Sequence, residues 1–135
     1  MQRYMQDFVN YMENNNIKYT EQKENVLKVV YSGDNLDTIS IFVIFDSDGD
    51  PVVQYKCWDI ACFKNKIEEA MNVCNELNNE YRWIKFYVDE DGDIIAAMDA
   101  FIDVDDCGDM CMYYFRRMLG IVDDAFPKIA KARWA

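Results

Sequence analysis

Residues 73–93 read VCNELNNEYRWIKFYVDEDGD, and this stretch decides the fold. It begins as the end of an amphipathic helix, passes through a short polar link and continues as a strand of alternating apolar and polar residues. Asp91-Gly92 follows, a pair that favours a tight hairpin turn because glycine readily takes a positive φ. The stretch therefore predicts a helix, a strand and a hairpin in succession.

The chain on either side of this stretch supplies elements that can pack against it. Helical periodicity predicts helices over about 3–13, 63–78 and 107–126. Pro127 is expected to end the last helix, since proline has no N–H to donate, and to leave a short basic tail at 128–135. Alternating apolar residues predict strands over about 25–31, 38–45, 51–58, 82–88 and 94–104.

Short links between consecutive strands make them antiparallel, and each helix has one apolar stripe. We therefore predict an α+β fold with two layers, an antiparallel five-stranded sheet with helices on one face. The element order is α-β-β-β-α-β-β-α. The length of 135 residues, without any visible linker, predicts a single domain over residues 1–135.

The composition restricts the classes of function. The net charge is −11, which disfavours binding to nucleic acid and to anionic membrane surfaces. The chain has no histidine, so a Ser-His or Cys-His nucleophile pair cannot form. No apolar run approaches the ~20 residues of a membrane helix, and the polar N-terminal segment is unlike a signal peptide. A cytoplasmic location is the expectation.

Two acidic turns, residues 46–50 and 89–93, share the spacing D-x-D-G-D. Aspartates at alternate positions occur in calcium-binding EF-hand loops, but those loops require glycine at the sixth position and glutamate at the twelfth. Here the twelfth positions are Cys57 and Ala100, and strands flank both turns. The pattern favours hairpin geometry and leaves a weak cation site as the alternative.

Five cysteines are the other candidate metal ligands: Cys57, Cys62, Cys74, Cys107 and Cys111. Zinc sites built from cysteine usually show close C-x2-C pairs, and none is present. The odd number also argues against a disulfide framework. We predict no metal, no cofactor and no catalytic residue.

One group of aromatic and lysine residues stands out. Trp83, Lys85 and Tyr87 alternate with apolar residues in the predicted strand 82–88. If helices cover one side of the sheet, these three side chains project from the other side, with Phe42 and Trp58. Aromatic residues edged by charge are typical of protein interfaces, although they can also cover a solvated sheet face.

The run NELNNEYRWIKFY at residues 75–87, closed by DEDGD at 89–93, resembles the YbjN-type domain. This bacterial family is described as sensory transduction regulators, and its fold resembles that of type III secretion chaperones. The resemblance extends from the first helix to the end of the third, and its specific part is this one block. It implies a dimeric, non-enzymatic α+β protein with no agreed catalytic residues.

These observations together predict a non-enzymatic protein-binding module, either chaperone-like or a regulatory adaptor. It is expected to be a homodimer that holds an amphipathic or basic segment of a protein partner on the open sheet face. The alternative is a regulator that responds to a small ligand or a cation through the acidic turns.

Overall fold

The computed structural model describes residues 1–135, which form three helices and six strands. The elements in chain order are α1 (Arg3–Asn14), β1 (Thr20–Lys23), β2 (Val26–Tyr31), β3 (Ile39–Phe45), β4 (Val52–Cys62), α2 (Ile67–Glu80), β5 (Lys85–Val88), β6 (Asp93–Phe101) and α3 (Gly108–Trp134).

The six strands form one sheet in the order β1-β2-β3-β4-β6-β5, and every neighbouring pair is antiparallel. The hairpin predicted from residues 73–93 is present, because β5 pairs with β6 and places Tyr87 opposite Ile95. This hairpin forms one edge of the sheet, with β6 lying between β5 and β4. The antiparallel arrangement predicted from the sequence is confirmed.

All three helices pack on one face of the sheet. A core of 34 buried residues joins their apolar stripes to every second residue of the central strands, among them Val43 on β3 and Met98 on β6. The Tyr55 hydroxyl on β4 donates a hydrogen bond of 2.7 Å to the carbonyl oxygen of Cys111 on α3. The predicted two-layer α+β class is therefore confirmed. None of the helices combines the length and the apolarity needed to cross a bilayer.

The prediction of five strands is wrong by one, because β1 was missed. All four of its residues, Thr20 to Lys23, are exposed, so no apolar alternation marks them as a strand. The segment is held by backbone pairing with β2, and it lies at the edge of the sheet. A polar edge strand of this kind also limits pairing with other chains.

The prediction that Pro127 ends the last helix is also wrong, since α3 continues to Trp134. Proline lacks the N–H that would bond to the carbonyl oxygen of Asp123, four residues earlier. The side chain of Asn35 donates to that oxygen instead, at 3.1 Å. Ile129, beyond the proline, is fully buried in the core. The predicted basic tail is thus the packed last part of α3.

Candidate functional site

The face of the sheet opposite the helices is not covered by any part of the chain. A row of paired residues crosses five strands on this face: Lys28, Phe42, Lys56, Ala97 and Lys85. Directly paired residues of antiparallel strands point to the same side, and the residues next to them in each strand point into the core. We call these five residues the lysine row, and the surface around them the open face.

The middle of the open face has an apolar floor. Ala97 and Ile95 on β6 are only 2% and 4% exposed, although no helix lies over them. Longer side chains of the neighbouring strands shield them, with Tyr87 directly opposite Ile95. On the other side of the row, the rings of Phe42 and Trp58 meet edge to face, with centroids 4.9 Å apart. Ala97 and Ile95 are therefore already out of contact with water, and a partner on this face would displace water chiefly from the aromatic side chains, of which Trp58 is 37% exposed.

Each lysine of the row lies over an aromatic ring. The Nζ atoms of Lys28, Lys56 and Lys85 are 5.8, 5.2 and 5.8 Å from the ring centroids of Phe42, Trp58 and Tyr87 respectively. Such cation–π contacts hold an ammonium group without neutralising it. The two ion pairs of the chain, Arg3–Asp105 and Lys128–Glu80, lie elsewhere. The open face therefore carries three positive charges that have no carboxylate partner within 4.0 Å.

Trp83 does not belong to this face, so its predicted position beside Lys85 and Tyr87 is wrong. It precedes β5, in the link from α2, and has a φ of 82°. This backbone conformation breaks the alternation on which the prediction depended. Its ring lies on the helix side, 6.0 Å from that of Tyr114 on α3, with the Arg117 guanidinium 5.9 Å away.

The other four predicted residues do lie on the open face. The structure brings Phe42 and Trp58 into contact and places Lys85 beside Tyr87. Sequence reasoning missed Lys28 and Lys56. Both alternate with core residues in their strands, but only the strand order β2-β3-β4-β6-β5 shows that they share one row with Lys85.

The first carboxylate of each acidic turn is engaged by the turn itself. One oxygen of Asp46 accepts from the amides of Asp48 and Asp50 at 3.0 and 3.1 Å. Asp89 likewise accepts from the amides of Asp91 and Asp93 at 3.0 and 2.9 Å. No three acidic, cysteine or histidine side chains converge as metal ligands anywhere in the chain. The contacts are those of hairpin turns.

A family model matches most of the chain. Residues 8–130 match the model named YbjN, whose description is "Putative bacterial sensory transduction regulator". The chain belongs to the YbjN family. The resemblance carried by residues 75–93 is thereby confirmed.

Among solved structures, this chain is similar to one described as "Crystal structure of YbjN, a putative transcription regulator from E. coli". The two share 7% sequence identity and a TM-score of 0.70, over 94% of this chain and 91% of that one. At this identity the likeness shows a common fold. No curated protein sequence matches the chain.

The cysteines of this YbjN-family protein are free thiols, and four of the five are buried. Burial raises the pKa of Cys57 to about 12 and that of Cys74 to about 11. Thiols in apolar surroundings with such pKa values are poor nucleophiles and poor metal ligands at neutral pH. These two positions serve packing in the core.

Proposed function

We propose that this YbjN-family protein is a non-enzymatic adaptor that holds a partner polypeptide on the open face of its sheet. One observation carries the proposal: partly exposed aromatic side chains, among them Trp58, surround an apolar floor on a sheet face that no helix covers. Aromatic residues around an apolar centre are typical of protein interfaces. Regulation or chaperone-like holding of a partner would both use such a surface, and the family description as a sensory transduction regulator is consistent with it.

A cytoplasmic location is part of the proposal. The buried cysteines of the core are free thiols and form no disulfide, as is typical of proteins in a reducing compartment.

Site-specific photocrosslinking tests the open face directly. A photoreactive phenylalanine analogue is placed at Phe42 or at Tyr87, in cells of the native organism, and the crosslinked polypeptides are identified by mass spectrometry. Met71, an exposed residue of α2 on the helix side, is the control position. We expect the same partner from both open-face positions and not from Met71. Crosslinks from Met71 alone, or different polypeptides from each position, would contradict the proposal.

We also propose that two copies associate through the outer ridge of α3. The ridge consists of Asp109, Tyr113, Arg116 and Gly120, which are all exposed and follow one another at helical spacing. A rise of 1.5 Å per residue puts Asp109 and Arg116 about 10 Å apart along the axis, with Tyr113 near their midpoint. If two antiparallel ridges cross there on a two-fold axis, each Asp109 meets the Arg116 of the second copy.

The ridge has further features of an interface. Tyr113 is 53% exposed, and Arg117 lies over its ring at 5.8 Å. Tyrosine, tryptophan and arginine dominate the binding energy of many interfaces, and Trp83, 48% exposed, adjoins this group. Glycine inside an exposed helix costs about 1 kcal/mol relative to alanine. No atom lies within 4 Å of a Cβ placed on Gly120, so packing within the chain does not require it.

A further inference from the structure

We propose that the occupant of the open face is an acidic amphipathic helix of another protein. Its carboxylates would pair with Lys28, Lys56 and Lys85, and its apolar side chains would cover Phe42 and Ala97. This inference rests on the proposed function and names the chemistry of the partner. The sequence predicted an amphipathic or basic segment; the inference keeps the amphipathic character and departs from the basic one, which the overall charge of −11 favoured.

The spacing of the lysine row matches the repeat of a helix. Neighbouring strands lie about 4.8 Å apart, so Lys28 and Lys56, on β2 and β4, are about 10 Å apart. Lys56 and Lys85 are separated in the same way, with β6 between them. A helix rises 1.5 Å per residue, so about seven residues span each interval. Carboxylates at every seventh position of one helix face would therefore meet the three ammonium groups in turn.

The apolar members of the row fall between the lysines. Phe42 is paired with both Lys28 and Lys56, and Ala97 is paired with both Lys56 and Lys85. The points midway between successive carboxylates of the partner helix are three and four residues further along, on the same helical face. Apolar side chains there would lie over Phe42 and Ala97. The row thus presents alternating positive and apolar positions to a helix with alternating acidic and apolar positions.

The charges of the open face favour an acidic partner. Two carboxylates lie near the row: Asp99, which is paired across the strands with Gln54, and Asp59, which lines a shallow pocket with Lys28 and Trp58. Neither is close enough to a lysine to form an ion pair. A basic segment laid along the row would meet three like charges, and an acidic one would gain three charge-assisted contacts. The chain has 25 acidic and 14 basic residues, so its surface is negative on average. The three lysines of the row form a local positive region on that surface.

A single-stranded nucleic acid is the competing anionic occupant, since it also binds aromatic and basic surfaces. Bases need open ring faces for stacking, but here a lysine lies over each of the rings of Phe42, Trp58 and Tyr87. The charge of −11 would also repel a phosphate backbone at longer range. These observations favour a polypeptide.

Three designed peptides test the inference by fluorescence anisotropy. Each is a helix of about 18 residues with one leucine stripe. The first carries glutamate at every seventh position, in line with leucines three and four residues further along. The second carries lysine at those positions, and the third has its glutamates on the opposite face. We expect the first peptide to bind at least ~10-fold more tightly than the other two at ~0.1 M salt, and to weaken as salt rises.

Variants of the three lysines then test whether their charges cause the preference for the glutamate peptide. Changing Lys28, Lys56 and Lys85 together to glutamine should remove the salt dependence and the preference for the first peptide. Lys56→Glu should shift the preference toward the lysine peptide. The control is Lys131→Gln, an exposed lysine on α3, which should leave binding unchanged. Thermal melts establish that each variant is folded.

The outcomes separate this inference from the proposed function. If the lysine peptide binds as well as the glutamate peptide and Trp58→Ala weakens both, the partner is not acidic, but the open face still binds polypeptide. If no peptide binds and photocrosslinking finds no partner, both proposals fail. A single-stranded oligonucleotide that displaces the glutamate peptide at lower concentration would overturn the acidic helix in favour of nucleic acid.

Discussion

The side chain of Asn35 donates a hydrogen bond of 3.1 Å to the main-chain oxygen of Asp123, the oxygen that Pro127 leaves without its usual partner. The contact is reciprocal. The Asp123 carboxylate accepts from the amides of Asp34, Asn35 and Leu36, at 2.8 to 3.0 Å. A loop between β2 and β3 is thus tied to α3, and α3 passes through a proline without ending.

A double-mutant cycle tests whether the Asn35 side chain replaces the helical N–H that Pro127 lacks. Asn35→Ala should lower the free energy of unfolding by about 1 kcal/mol, because the Asp123 carbonyl loses its donor. In a Pro127→Ala background the same change should cost less, since an alanine at this position supplies the helical N–H. Urea unfolding followed by circular dichroism measures both. Equal losses in the two backgrounds would show that Asn35 does not replace the missing helical bond.

The Asp123 carboxylate should make stability depend on pH. Desolvation raises its pKa, but the bonds from the amides of Leu36, Asn35 and Asp34 lower it, and the net pKa lies below its usual value. A carboxyl with a depressed pKa contributes stability above its unfolded pKa, about 4, and loses it as pH falls through the lower folded value. Asp123→Asn should therefore be less stable than the wild type at pH 7, with the difference shrinking below about pH 4. A constant difference between these pH values, measured by urea unfolding, would contradict this role.

Two hairpin glycines with nearly the same backbone conformation provide a matched comparison. Gly49 and Gly92 have φ values of 86° and 88°. A Cβ on Gly49 would meet nothing within 4 Å, whereas one on Gly92 would lie 2.9 Å from the backbone nitrogen of Lys64. Gly49→Ala should cost about 1–2 kcal/mol for the left-handed conformation alone. Gly92→Ala should cost more, because the link from β4 to α2, which contains Lys64, must also move. Equal losses in thermal or urea unfolding would show that the contact with Lys64 is unimportant.

The sequence predicted those elements whose residues alternate or repeat with burial. The α2–β5–β6 succession could be predicted from residues 73–93 because helical periodicity, strand alternation and Asp91-Gly92 agree there. β1 could not be predicted, since a fully exposed strand held by backbone bonds has no side-chain pattern. The continuation of α3 beyond Pro127 depends on Asn35, which is distant in sequence.

The candidate site also contains some residues that the sequence predicted and others that it could not. Strand alternation placed Lys85 and Tyr87 on the open face correctly, but it failed for Trp83, where a positive φ turns the chain before the strand begins. Lys28 and Lys56 join Lys85 only through the pairing order of five strands, which no local pattern contains. Long-range register is therefore what decides the composition of this face.

The proposed α3 dimer makes a prediction that depends on charge pairing across two copies. Asp109→Lys and Arg116→Glu should each shift the molecular mass of the protein toward the monomer value of 16.0 kDa, because each places like charges opposite one another. The double variant, Asp109→Lys with Arg116→Glu, restores opposite charges and should restore the dimer. Light scattering after size exclusion, over a range of protein concentrations, measures the mass.

A matched control distinguishes the ridge from a general effect of charge. Lys131→Glu changes the charge as much as Arg116→Glu does, but it lies 18 residues beyond Tyr113, about 27 Å along the helix axis, so it should leave the dimer intact. A wild-type protein that stays monomeric at all concentrations would rule out self-association. A dimer that tolerates both single changes would instead place the contact on another surface. The charge-swapped pair is decisive because an effect on folding alone would not be reversed by a second charge change seven positions away on the same exposed ridge.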